Sequence, residues 1–156
     1  MKKRIGILTS GGDCPGLNAT IRGVAKACYE MMGEDNVEIV GIAEGYYGLI
    51  NNICRDMKPE EFSGILTRGG TILGTKRQPF KMMQVIGDDN VDKVKNMKET
   101  YKKQKLDCLL TLGGNGTHKT SFPVYEKEFS FPLQVRPQFL LLFWLLLLPR
   151  NSNCHF

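Results

Sequence analysis

Apolar runs and amphipathic stretches alternate along the chain from residue 4 to residue 120. The run RIGILTS, Arg4 to Ser10, is nearly continuous in apolar residues, which suits a strand buried on both faces. VEIVGIA, Val37 to Ala43, predicts a second strand, and LDCLLTL, Leu106 to Leu112, a third. Between the first two, Leu17, Ile21, Val24, Cys28 and Met31 recur at steps of four, three, four and three and share one helical face. EGYYGLI, Glu44 to Ile50, reads as a loop. PEEFSGIL, Pro59 to Leu66, opens with the proline and acids favoured in a first helical turn. Asp88 to Asn90 offer an N-cap for a helix turning Val91, Val94 and Tyr101 inward. Strand, helix, strand, helix, strand predicts an α/β fold with parallel pairing and right-handed crossovers.

Ligands of such sheets collect outside the carboxyl ends of the strands. Two glycine clusters fall at those ends: SGGDCPG after the first strand and LGGNGTHK after the third. Glycine lets main-chain N–H groups approach an anion, and the following helix adds unpaired amides and a positive dipole end, so phosphate is the natural guest. A tight turn explains either cluster alone; two at equivalent ends point to a shared ligand. Neither matches GxGxxG or GxxxxGK[ST], which disfavours the common phosphate-loop families. A third segment, TRGGTILGTKRQPF, carries Arg68, Lys76 and Arg77. Either it is an exposed loop with ordinary cations, or Arg77 clamps the oxygens of a transferring phosphoryl group.

Composition changes the picture mainly at the carboxyl end. All 17 glycines lie at or before Gly116, whereas Ser121 to Phe156 holds six of the eight phenylalanines and only two acidic residues. Five scattered cysteines, without metal-ligand spacing, fit a reducing cytoplasm. The net charge of +5 owes much to VDKVKNMKETYKKQK, which reads as a solvated helix face, with no nucleic-acid partner. The opening MKKRIGILTS has too short an apolar run for a targeting segment. FLLLFWLLLL, Phe139 to Leu148, has half the roughly 20 residues that span a bilayer; an interfacial anchor is the alternative, disfavoured by the lack of a polar face, and no membrane partner is assigned.

GILTSGGDCPGLNATIRG, GYYGL, TRGGTILGTKR and LGGNGT together resemble the amino-terminal motifs of the 6-phosphofructokinase family, in order and at suitable separations. The resemblance covers about Lys3 to Thr120. It implies the first part of a three-layer α/β sandwich with a mainly parallel sheet, and transfer of the γ-phosphoryl of ATP to the 1-hydroxyl of fructose 6-phosphate. It further implies Mg2+ and a cytoplasmic, homotetrameric glycolytic enzyme under allosteric control. Gly12, Tyr46, Arg77, Gln78, Gly114, Asn115, Gly116 and Thr117 match nucleotide-site positions, with Arg77 the phosphate clamp. Gly116 favours ATP over pyrophosphate, whose users tend to carry a bulkier acidic residue there. Asn115 stands where many members have the aspartate associated with magnesium, and its neutral amide weakens that metal assignment. Tyr46 and Tyr47 are alternatively read as packing under a loop.

Arg22 and Lys26 match effector-binding cations of bacterial members, but Pro59 aligns with a further arginine of that site. His118 reads as a surface histidine and Cys14 as a tolerated small residue of the first loop. The family's catalytic base lies in a TIDND-like segment that this chain lacks; from Ser130 onward there is neither aspartate nor glycine. Residues 1–120 therefore read as the nucleotide-binding α/β part, and 121–156 as a non-family tail, frameshifted or disordered. Without base or acceptor site, this chain is expected to have lost useful turnover. An inactive nucleotide-binding fragment or pseudo-subunit, a pyrophosphate-dependent phosphofructokinase, and a GGDGT-type kinase of another acceptor are the alternatives.

Overall fold

The computed structural model describes residues 2–11, 15–76, 92–114, 117 and, for the backbone, 134–135. Strand β1 (Lys3–Ser10) is followed by helix α1 (Leu17–Met32), strand β2 (Val37–Ile42), helix α2 (Tyr46–Asn51) and strand β3 (Cys54–Met57). Helix α3 (Lys93–Lys103), strand β4 (Cys108–Gly113) and the two-residue strand β5 (Gln134–Val135) complete the described α-helices and strands. The sheet order is β3-β2-β1-β4-β5, antiparallel only between β2 and β3.

The apolar runs are continuous because the central strands face two cores. Ile5, Ile7, Val37, Ile39, Leu110 and Leu112 pack with Leu17, Ile21, Val24 and Cys28 of α1 on one face. Leu8, Val40, Ile42 and Leu109 pack on the other with Leu49 of α2 and Met97 of α3. Each such side chain contributes about 1.5–3 kcal/mol when fully buried, so both helical layers are held by the same strands. These are the expected three layers.

Several local expectations are corrected. Residues 46–51 form a helix, where 44–50 read as a loop, because Leu49 and Ile50 are buried against the second core. β3 is an unforeseen antiparallel edge strand. The stretch from Pro59 is a 3-10 turn ending at Phe62, shorter than expected. Asp92 caps α3, accepting a bond from the Lys95 amide at 2.9 Å, and the earlier cap at Asp88 to Asn90 lies outside the described residues, as does Val91. Val94 and Tyr101 do face the core, half-buried, while Lys95, Lys102 and Lys103 are exposed. Met31 stands 53% exposed, and Met32 packs on the core in its place.

The end of the sheet at which β1, β2 and β4 begin is tied by charge. The Arg4 guanidinium bridges Glu38 of β2 and, at 2.8 Å, Asp56 of β3, while its Nε donates to the Gln104 carbonyl at 2.8 Å. Asp107 accepts from the Arg4 amide and from Lys3 Nζ, each at 2.9 Å. Partial burial works against the Asp107 charge, but those two donors outweigh it and hold the carboxyl below its usual range.

Candidate functional site

At the opposite end the chain changes direction across the sheet. From β1 it winds to β2 on one side, and later enters β4 on the other, so the carboxyl ends of β1 and β4 flank a topological switch point. Ser10 and Gly113 are register partners there. A Cβ on Gly113 would come closer than 3.0 Å to both the Ser10 carbonyl and Thr117 Oγ1, so only glycine lets the two ends meet. Gly11, the next residue after β1, has φ +104°, in the region that favours glycine.

Three segments converge on this end of β1. Thr117 is 3% exposed; its N–H donates to the Gly114 carbonyl at 3.0 Å and its hydroxyl to the Ser10 carbonyl at 2.9 Å. Tyr46 is 1% exposed, and its hydroxyl donates to the Thr117 carbonyl at 2.9 Å. The segment from Arg68 to Lys76 crosses the same end. Asn18 donates to the Arg68 carbonyl at 3.0 Å and accepts from the Ile72 amide at 2.8 Å. Thr9 Oγ1 lies 2.9 Å from Thr71 Oγ1 and donates to the Gly74 carbonyl at 2.8 Å. The Glu44 amide donates to the Leu73 carbonyl at 2.9 Å, and Thr75 Oγ1 to the Gly11 carbonyl at 3.0 Å. Lys76 Nζ sits 3.5 Å from the centre of the Tyr47 ring, a cation–π contact joining this segment to α2.

Of the residues expected at a site, Tyr46, Gly114 and Thr117 are thus brought together. Tyr46 lies buried and holds main chain through its phenol, as in the reading that packs it under a loop. Gly114 is exposed, and among the described residues a Cβ there would meet nothing within 4 Å. Gly12, Arg77, Gln78, Asn115 and Gly116 lie outside the described residues, as do Cys14 and His118. Lys26 is exposed on α1, and Arg22 half-buried with its Nε unpartnered among the described residues. Thr9, Asn18 and Thr75 were not anticipated. Asn18 carried a signal, as a polar residue beside Leu17 on the inward face of α1; the threonines carried none.

The phosphofructokinase family profile matches residues 4–138, most of the sequence. The chain belongs to the phosphofructokinase family. An ATP-dependent 6-phosphofructokinase of Spirochaeta thermophila is 55% identical over 123 residues, which are 77% of this chain and 33% of that protein. ATP-dependent 6-phosphofructokinase 3 of Bacteroides thetaiotaomicron is 47% identical over 119 residues, 76% of this chain and 34% of that one. The chain spans about a third of the length of these curated relatives. The solved phosphofructokinase of Pichia pastoris in the T-state superposes with a TM-score of 0.66 at 27% identity, over 80% of this chain and 13% of that one. A pyrophosphate-dependent phosphofructokinase from Marinobacter aquaeolei, with a TM-score of 0.63 at 16% identity over 78% of this chain and 29% of that one, shares the fold.

The phosphofructokinase match runs past residue 120, and β5 pairs in parallel with β4 through Thr111↔Gln134 and Leu112↔Val135. Among the described residues, no helix is long and apolar enough to cross a membrane, and no three His, Cys, Asp or Glu side chains are grouped to hold a metal.

Proposed function

We propose that this chain is the nucleotide-binding part of an ATP-dependent 6-phosphofructokinase, a glycolytic kinase that in intact form transfers the ATP γ-phosphoryl to the 1-hydroxyl of fructose 6-phosphate. The observation that carries the proposal is the meeting of two glycine-lined strand ends, Ser10–Gly11 and Gly113–Gly114, at the switch point of a parallel sheet. Main-chain amides at such a point suit a polyanion, since they supply partial positive charge without bulk. The identity to ATP-dependent relatives favours ATP over pyrophosphate as donor.

Within this reading Gly12 and Gly114 to Thr117 receive the phosphates, Arg77 bridges their oxygens with Gln78 beside it, and Tyr46 positions the second loop from below. Magnesium would accompany the nucleotide and supply positive charge against its phosphates, and Asn115 would be the neutral residue to hold it. Catalysis needs a base, and residues 121–156 hold no TIDND-like segment to supply one, so residues 1–156 are expected to bind donor without useful turnover. The departure from the family pattern falls within residues 121–156, and the match reaching residue 138 favours its later half. A cytoplasmic location and a homotetramer belong to the intact enzyme.

Calorimetric titration of the purified chain with ATP and with pyrophosphate, each with and without magnesium, tests the reading. ATP should bind more tightly than pyrophosphate; a folded chain that takes up no adenine nucleotide at millimolar concentration refutes it. The lack of a TIDND-like segment within residues 121–156 favours a second reading, an inactive nucleotide-binding pseudo-subunit that joins full-length copies. Turnover in an assay with ATP and fructose 6-phosphate would exclude that alternative.

A further inference from the structure

Consecutive carbonyls at the exit of β1 are each taken by a threonine from a different loop. Thr117 Oγ1 holds the Ser10 carbonyl, and Thr75 Oγ1 holds the Gly11 carbonyl at 3.0 Å. Thr117 already belongs to the proposed site, whereas Thr75 has no assigned role. A planar trans peptide points its C=O and N–H in opposite directions, so fixing a carbonyl also fixes the amide across the same plane. An anion bound by main chain needs amides toward it and carbonyls away, because a single inward C=O replaces attraction with repulsion.

Gly11 is the residue least able to hold such an orientation unaided. With φ +104° and no side chain, its backbone has wide freedom. Thr75, by contrast, sits on a well-tethered segment: Thr9 holds Gly74, the Glu44 amide holds Leu73, and Asn18 grips Arg68 and Ile72. Its hydroxyl can therefore act as a fixed latch on a conformationally permissive glycine.

We infer that Thr75 is a positioning residue for phosphate binding, its hydroxyl keeping the Gly11 carbonyl turned away from the nucleotide's phosphates. This rests on the nucleotide reading above. The test compares the full chain with Thr75→Val, which keeps the shape and loses the hydroxyl, and Thr75→Ser, which keeps the hydroxyl. Each is titrated with ATP and with inorganic tripolyphosphate.

Thr75→Val should weaken both ligands about tenfold, the effect of one lost hydrogen bond of about 1.4 kcal/mol, while Thr75→Ser stays within about twofold of the parent. Amide exchange across β1 and β4 should be unchanged in both variants. Parent-like binding by Thr75→Val overturns the inference. So does an equal loss in Thr75→Ser, which would assign the role to the methyl group and remains informative if the valine variant does not fold. A parent chain that binds neither ligand overturns the nucleotide reading itself, and the inference with it.

Discussion

Gly113 and Gly114 are neighbours with opposite expected phenotypes, and substituting each by alanine separates architecture from ligand binding. At Gly113 the new Cβ would lie closer than 3.0 Å to the Ser10 carbonyl and to Thr117 Oγ1, and at 3.0 Å from Thr117 Cβ, where ordinary contact begins near 3.4 Å. The ends of β1 and β4 must then part by on the order of 1 Å, which also breaks the Thr117 bond to Ser10. Overpacking of this kind costs about 2 kcal/mol and the lost bond about 1 kcal/mol, so Gly113→Ala should destabilise by about 3 kcal/mol. With a urea dependence of roughly 2 kcal/mol per molar, the unfolding midpoint should fall by about 1.5 M. At Gly114 a Cβ meets nothing within 4 Å among the described residues, so Gly114→Ala should change stability by no more than about 0.5 kcal/mol. Its methyl group enters the space assigned to phosphate, and ATP affinity should drop about tenfold or more. Urea denaturation and ATP titration on the same preparations check both. An unshifted midpoint for Gly113→Ala would refute the close approach of the strand ends, and unimpaired ATP binding by Gly114→Ala would refute the placement of the phosphates.

Three further outcomes follow from single contacts. Tyr46→Phe removes a buried donor from the Thr117 carbonyl and should cost about 1–2 kcal/mol in urea denaturation; a hydroxyl that merely touched nucleotide would leave the stability of the free chain unaltered. The Asp107 carboxyl is held below its usual range, so its contribution to stability is present above that range and is lost as pH falls through its folded value. The stability gap between the parent and Asp107→Asn should accordingly be widest near pH 7 and close below about pH 4, in a pH series of denaturation curves. Gly23 is exposed within α1 with open space around its Cβ position, so Gly23→Ala should raise stability by about 0.5–1 kcal/mol, read as a higher melting temperature.

The central strands and α1 were legible because burial on two faces writes itself as apolar runs and as steps of three and four. α2 was hidden: GYYGL looks like a turn, and its helix depends on Leu49 and Ile50 meeting a core assembled from distant strands. β3 was hidden for a different reason. Its Arg55 and Asp56 are exposed on an edge, so neither alternation nor a continuous apolar run marks it. At the site, glycine clusters announced where the loops lie, since they must avoid bulk. The threonines that hold those loops were silent, because a lone hydroxyl acquires meaning only from the carbonyl opposite it, as Thr75 does from Gly11, 64 residues away.

The place of β1 in the middle of the sheet has a consequence for how the protein comes into being. Its first neighbour, β2, leaves the ribosome soon after it, but its second begins at Cys108. At a synthesis rate of about 5–20 residues per second, one flank of β1 waits roughly 5–20 seconds for its partner. The proposed phosphate site is therefore assembled late and all at once, when Gly113 docks beside Ser10. Until that moment the nascent chain presents an open strand edge in need of cover, as a chaperone would give it.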